Sequence, residues 1–176
     1  MISKNDFNKL AKKGYNRIPL MCEVLADLDT PLSTYTKICN FPYSYLFESV
    51  EGGEKWGRYS IIGLPAKKII SVTGEKVKIT ENSRLIDEYN TSDPLKEIEK
   101  IQQSYKVAQI ESMPRFSGGL VGYFGYETIR YIEPKLNKNN KEDPIGSPDI
   151  LLMVSDEVIV FDNLSGKLFI IVHADP

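Results

Sequence analysis

At 176 residues, with 41% hydrophobic and 26% charged side chains, the chain has an ordinary globular composition and fits one domain or one large piece of a bigger one. Its formal net charge is −2, and the 22 Lys and Arg are scattered among acids, which argues against a nucleic-acid or anionic-membrane surface. The only cysteines, Cys22 and Cys39, are expected to be core or half-buried thiols, and with a single histidine, His173, and no CxxC a zinc site is disfavoured. No apolar run approaches the roughly 20 residues of a membrane helix. The opening MISKNDFNKLAKKGYN has no apolar signal core, so a cytoplasmic location is expected.

In chain order, residues 1–14 read as a polar lead-in, helical or frayed, and residues 15–176 as one folded part. ADLDTPLSTYTKICN holds a helix start: Thr30 can cap and Pro31 suits the first helical position. Leu32, Tyr35 and Ile38 then form its apolar face. PYSYLFESVE and RYSIIG read as strands. KKIISVT and KVKITE flank Gly74-Glu75, which suits a two-residue hairpin with Gly in the first central position. Lys76, Lys78 and Thr80 alternate with Val77 and Ile79, giving one wet and one buried face. Residues 93–106 are the clearest helix, capped by Asp93 and opened by Pro94, with Leu95, Ile98, Ile101 and Tyr105 as its buried stripe.

GGLVGYFGYE reads as a strand despite its glycines. Residues 135–148 are polar and breaker-rich, hence a long surface loop. DILLMVS, EVIVFDN and KLFIIVHA close the chain as three strands, with Gly166 at a positive φ in the DNLSGK connection. The predicted fold class is α+β: a largely antiparallel sheet with hairpins and a few peripheral helices. The stop at HADP, directly after an apolar strand, suggests that the natural protein continues.

Few residues in the sequence point to chemistry. A Ser-His-Asp or Cys-His arrangement would need His173, in a strand near the C-terminus, where a structural role is expected. No Walker loop is present. Gly119, Gly122 and Gly125 are three apart, unlike GxGxxG, and are expected to mark a strand that other backbone approaches closely. Glu48, Glu51 and Glu54 lie too near one another in sequence to be read as more than solvated turn charges. FESVEGGEKWGRYSIIG, residues 47–63, is the remaining dense stretch. Gly52-Gly53 supply a turn, and Trp56 can pack over the hairpin. Glu48 could take an ammonium group, Arg58 a carboxylate and Ser49 either, a set suited to an amino acid. In a regular strand Glu48 and Ser49 point to opposite faces, so one ligand meets both only if the strand ends or bulges there, or if one contributes backbone.

YNRIPLMCEVLADLDTPLSTYTKI, FESVEGGEKWGRYSIIG and PRFSGGLVGYFGYETIRYIE, in this order, resemble the N-terminal part of anthranilate synthase component I, from about Tyr15 to the end. The related aminodeoxychorismate synthase shares the architecture and is the alternative; YNRIP and ESVEGGEKWGRYS favour the former. The resemblance implies a full-length enzyme that turns chorismate into anthranilate and pyruvate, in tryptophan biosynthesis. It implies magnesium, ammonia from a glutamine amidotransferase subunit (component II), and feedback inhibition by tryptophan. The chorismate and magnesium residues of the family lie in a C-terminal part outside these residues. No catalytic residue, metal ligand or cofactor is therefore assigned to this chain, which is expected to be inactive alone.

The family's tryptophan site carries Leu-Leu-Glu-Ser on an N-terminal strand, matched here by Leu46, Phe47, Glu48 and Ser49. Phe47 departs from the pattern and is read as core variation. A lysine about ten residues on in some members finds its nearest match in Arg58. The expected feedback site is thus Glu48, Ser49 and Arg58, completed by the C-terminal part. A stand-alone binding module, and a catalytic chain, are the rival readings.

Overall fold

Most element boundaries follow from local rules. The computed structural model describes residues 2–48, 57–133, 135–136 and 143–176. Ser3 caps α1 (Lys4–Lys12) by accepting from the Asp6 N–H, and no residue of that helix is buried, as a polar lead-in requires. Strand β1 (Ile18–Leu25) follows. Thr30 and Ser33 form a reciprocal capping box at the start of α2 (Pro31–Ile38), with Pro31 in the first turn. Next come β2 (Tyr45–Phe47), β3 (Tyr59–Gly63), β4 (Lys68–Thr73), β5 (Lys76–Glu81) and β6 (Arg84–Asn90). The Asp93 carboxylate accepts from the Lys96 N–H at 3.0 Å and starts α3 (Pro94–Ser104). After β7 (Gly119–Phe124) comes a short turn of 3-10 helix and α4 (Ile129–Ile132). Strands β8 (Ile150–Ser155), β9 (Glu157–Asp162) and β10 (Lys167–Ala174) follow. Among the described residues no helix is long and apolar enough to cross a membrane.

The chain divides into two compact units. The first comprises Met1–Ala66, Tyr105–Gly119 and Ser155–Pro176, and holds a sheet of order β1-β10-β9-β3-β2. Every neighbouring pair in it is antiparallel. One face carries Ile62, Ile159, Phe161 and Leu168, packed with Cys39 and with Tyr35 of α2. The other carries Val158, Val160 and Ile171, covered by Met113 and Phe116 from the segment after α3. Each fully buried aliphatic side chain of this kind contributes about 1.5–3 kcal/mol relative to exposure.

The second unit comprises Lys67–Ser104 and Leu120–Val154, with the sheet order β6-β5-β4-β8-β7. Its register aligns apolar rows: Val77, Val72 and Ile150 lie side by side, as do Ile79, Ile70 and Leu152. The α+β class and the hairpin-joined antiparallel sheets match the sequence expectation. Thr73 pairs with Lys76 across Gly74-Glu75, and Gly74 has φ 56°. Positive φ at the first central residue only is the type II′ pattern.

Several details differ from that expectation. Strand β6 has no apolar alternation and lies at a sheet edge, with all but one residue exposed. Its signal is the Asn82-Ser83 turn, with φ 50° and 63°. In α2, Leu32 and Ile38 are exposed, at 56% and 45%. Three-residue spacing falls about 60° short of a turn, so they flank Tyr35 instead of lying beneath the same contact. Helix α3 ends at Ser104, and Tyr105 belongs to the first unit. Cys39 is buried as expected, but Cys22 is exposed, in the half of β1 from Cys22 to Leu25 where every residue is exposed.

The glycine-rich strand β7 behaves as close packing demands, though not at every glycine. A Cβ at Gly122 would lie 1.9 Å from the Leu151 carbonyl oxygen, and one at Gly125 would lie 3.0 Å from the Asp149 carbonyl oxygen. Gly119 faces open space. Residues 137–142 of the expected loop at 135–148 lie outside the described residues. Gly122→Ala is expected to lower stability by about 3 kcal/mol in urea titration, because the obstructing atom is backbone and cannot rotate away.

Candidate functional site

The site strand is β2, the sheet edge that leads into Glu48. Tyr45 anchors it. A Cβ at Gly63, its partner across the ladder, would fall 1.9 Å from the Tyr45 ring, so only glycine lets the ring lie there. From that position the Tyr45 hydroxyl reaches the Ser155 hydroxyl at 2.7 Å, buried, and loss of solvent pushes its pKa up. Leu46 turns toward the cluster beneath α2. Phe47 stacks 4.8 Å from the Tyr45 ring but is 52% exposed, so it is not a core residue. It ends a three-residue edge strand, where little covers the side chain.

Strand β2 stops at Phe47, paired with Ile61. Glu48 follows it and is exposed. Regular alternation therefore no longer dictates where Glu48 points. Ser49, Glu51, Gly52, Gly53, Glu54 and Trp56 lie outside the described residues.

Arg58 lies immediately before β3. Its guanidinium is forked on Asp162 at the end of β9: Nε donates to Oδ1 at 2.9 Å and Nη2 to Oδ2 at 2.6 Å. It also lies over the Tyr59 ring, 5.0 Å from its centroid. Asp162 accepts further from the Leu164 and Ser165 N–H groups, which closes the β9–β10 turn. Arg58 and its donated hydrogen bonds hold the Asp162 carboxyl down at about 2, against the rise that burial alone would cause. Asn163 continues the stitching. Its N–H donates to the Arg58 carbonyl at 2.8 Å and its amide donates to the Ser60 hydroxyl at 3.1 Å. Sequence reading missed Asp162; an Asp opening an N-L-S-G turn was its only local signal.

His173 takes the structural role expected. Its Nε2 donates to the Ser117 carbonyl at 2.9 Å, and it contacts backbone, not a serine hydroxyl. Burial lowers its pKa, the Arg17 charge adding to this and the Ser117 carbonyl and Asp156 opposing. Arg17 pairs with Asp156 at 3.4 Å and Asp175 at 3.1 Å. Among the described residues no three His, Cys, Asp or Glu side chains gather as a metal would need.

No family model matches the chain. The anthranilate synthase component 1 of Pseudomonas putida is 54% identical over 175 residues, which is 99% of this chain and 36% of the relative. That of Pseudomonas aeruginosa is 53% identical over the same shares. That of a Neisseria meningitidis serogroup C strain is 52% identical over 179 residues, 100% of this chain and 36% of the relative.

The chain is homologous to anthranilate synthase component 1 along its whole length. It matches the N-terminal part of that protein and spans about a third of the length of the curated relatives. The crystal structure of anthranilate synthase component I from Streptococcus pneumoniae TIGR4 aligns with a TM-score of 0.52 at 25% identity. That alignment covers 85% of this chain and 31% of the other. Within a component 1 homologue, then, the described part of the expected tryptophan site is Glu48 at the end of β2 and Arg58 at the start of β3.

Two pH predictions follow from the buried groups. The Asp162 carboxyl is depressed from an unfolded value of ~3.9 to about 2. Its stabilisation is complete above pH ~4 and is lost as pH falls through the folded value. Asp162→Asn should cost about 2 kcal/mol at neutral pH, discounted for solvent at Arg58. In urea titrations the gap to the native chain should close on acidification from pH ~4 toward ~2. For His173 the folded pKa lies below its ordinary 6.5, so the unfolded chain takes the proton first. Stability should therefore fall as pH drops from about 7 to about 5, and His173→Gln should flatten that decline.

Proposed function

We propose that this chain is the N-terminal part of a cytoplasmic anthranilate synthase component 1 and contributes half of its tryptophan feedback site. The observation that carries the reading is identity of 52–54% along the whole chain to proteins of that name. The full-length protein would convert chorismate to anthranilate and pyruvate, with ammonia from a glutamine amidotransferase subunit, component II. Magnesium would belong to the C-terminal part, and no step is assigned to a metal on this chain. The 176 residues alone would turn over no chorismate.

In the proposed site, Glu48 attracts the ammonium of tryptophan and Ser49 hydrogen-bonds to it or shapes the pocket. Arg58 enters differently. Asp162 takes two of its five N–H donors, so Arg58 mainly fixes the start of β3 and supplies a positive edge to the site. Inhibition would be a population shift. Tryptophan binds one arrangement of the N- and C-terminal parts better than the other and draws the enzyme from its active state.

The test uses the full-length chain. Ser49→Phe should raise the tryptophan concentration for half-inhibition at least about tenfold, a loss of about 1.4 kcal/mol, while chorismate turnover without tryptophan stays within about twofold. Unchanged sensitivity would remove Ser49 from the site. Incubating the 176-residue chain with chorismate, magnesium and ammonia should give no anthranilate fluorescence.

A further inference from the structure

We propose that Tyr45 is a positioning residue of the feedback site: its ring, seated over Gly63, and its hydroxyl, bonded to Ser155, set where Glu48 stands and so how tightly tryptophan is held. The proposal rests on the reading of Glu48 as the ammonium-binding group. Tyr45 acts through the backbone of β2 and not by touching the ligand.

Strand β2 is outermost in its sheet and has three rungs, all to β3. Tyr45 is its one buried residue, at 8% exposure; Leu46 is half-buried and Phe47 exposed. So short a ladder is a weak hold against sliding or fraying. A side chain bonded at its far end adds a hold of another kind. The Tyr45 hydroxyl meets the Ser155 hydroxyl at 2.7 Å, out of contact with water, across 110 positions of sequence. Ser155 is itself fixed. A Cβ on Gly118 would lie 2.6 Å from its carbonyl oxygen, and the next carbonyl, that of Asp156, accepts from the His173 N–H at 2.8 Å.

The entry to β2 is strained. Tyr43 has φ 62°, a left-handed conformation that a bulky side chain adopts only where its surroundings impose it. Its carbonyl accepts from the Ala66 N–H at 3.0 Å, and the Tyr35 and Ser44 hydroxyls meet at 3.0 Å. The Tyr45 contacts hold the other side of the same bend. Without the Tyr45 hydroxyl bond the bend can relax, and the strand end moves with it. Glu48 stands three residues further on, about 10 Å along an extended chain. A hydrogen bond from an ammonium to a carboxylate keeps its strength over only about half an ångström. A small shift of β2 therefore weakens tryptophan binding and leaves chorismate chemistry alone.

The test is made in the full-length chain. Tyr45→Phe keeps the ring over Gly63 and removes only the hydroxyl; Ser155→Ala removes the other partner. Each should raise the tryptophan concentration for half-inhibition at least about fivefold, with kcat and KM for chorismate within about twofold of the natural values. The double variant should be no less sensitive than either single one, because all three lose the same contact. Val77→Ala, which hollows the core of the second unit at a fully buried position, should lower the urea midpoint and keep the natural sensitivity. Equal loss of sensitivity in Val77→Ala makes the effect one of general stability and overturns the positioning role. Losses that add in the double variant overturn it as well. Natural sensitivity in both single variants, in a chain that Ser49→Phe frees from inhibition, overturns it and leaves the functional reading intact. A natural full-length chain that makes no anthranilate, or makes it regardless of tryptophan, overturns the functional reading and the positioning role together.

Discussion

The Asp162 carboxylate sits at 3% exposure at the end of β9, and an ionised carboxylate there demands a cation and further donors. Arg58 supplies the cation from 104 residues earlier in the chain, and the Leu164 and Ser165 N–H groups supply the rest. One buried charge thereby fixes three things together: the β9–β10 turn, the entry to β3, and the register between β3 and β9. Tyr59 pairs with Asp162 itself, so a slip of one residue would tear the fork from the ladder. The stretch that looked densest in charge leads into this device, and its arginine is first of all a structural clamp.

A second constraint is the space that glycine leaves. At Gly63 the missing side chain admits the Tyr45 ring, and through it the hydroxyl contact to Ser155. At Gly122 the same absence admits the Leu151 backbone. The two glycines serve different strands, yet the logic is shared: a sheet edge is held by letting a neighbour lie where a Cβ would be. In β2 this matters most, since three residues of ladder alone would be a weak anchor.

Local features were legible in the sequence because their causes are local. Thr30-Pro31, Asp93-Pro94 and Gly74-Glu75 each carry their own cap or turn chemistry within a few residues. The sheet order β1-β10-β9-β3-β2 was not legible, since it joins strands from both ends of the chain and no short pattern encodes that pairing. Strand β6 escaped because an exposed edge strand needs no apolar alternation. At the site, the motif named Glu48 and Arg58, but the partner that immobilises Arg58 lies far away in sequence. Phe47 looked like core from its hydrophobicity alone; its exposure depends on being last in an edge strand.

The ending of β2 at Phe47 bears on how a ligand could act through this chain. Glu48 begins where the hydrogen-bonded ladder stops, so it is held by what precedes it, not by partners of its own strand. What precedes it is Tyr45, tied to Ser155 and seated on Gly63. On the proposed reading, tryptophan held at Glu48 would pull on the least laddered edge of the sheet, while Arg58 at the far side of the connection stays fixed to Asp162. On that reading feedback needs one thing only, that the ligand bind one arrangement of the full-length protein better than another.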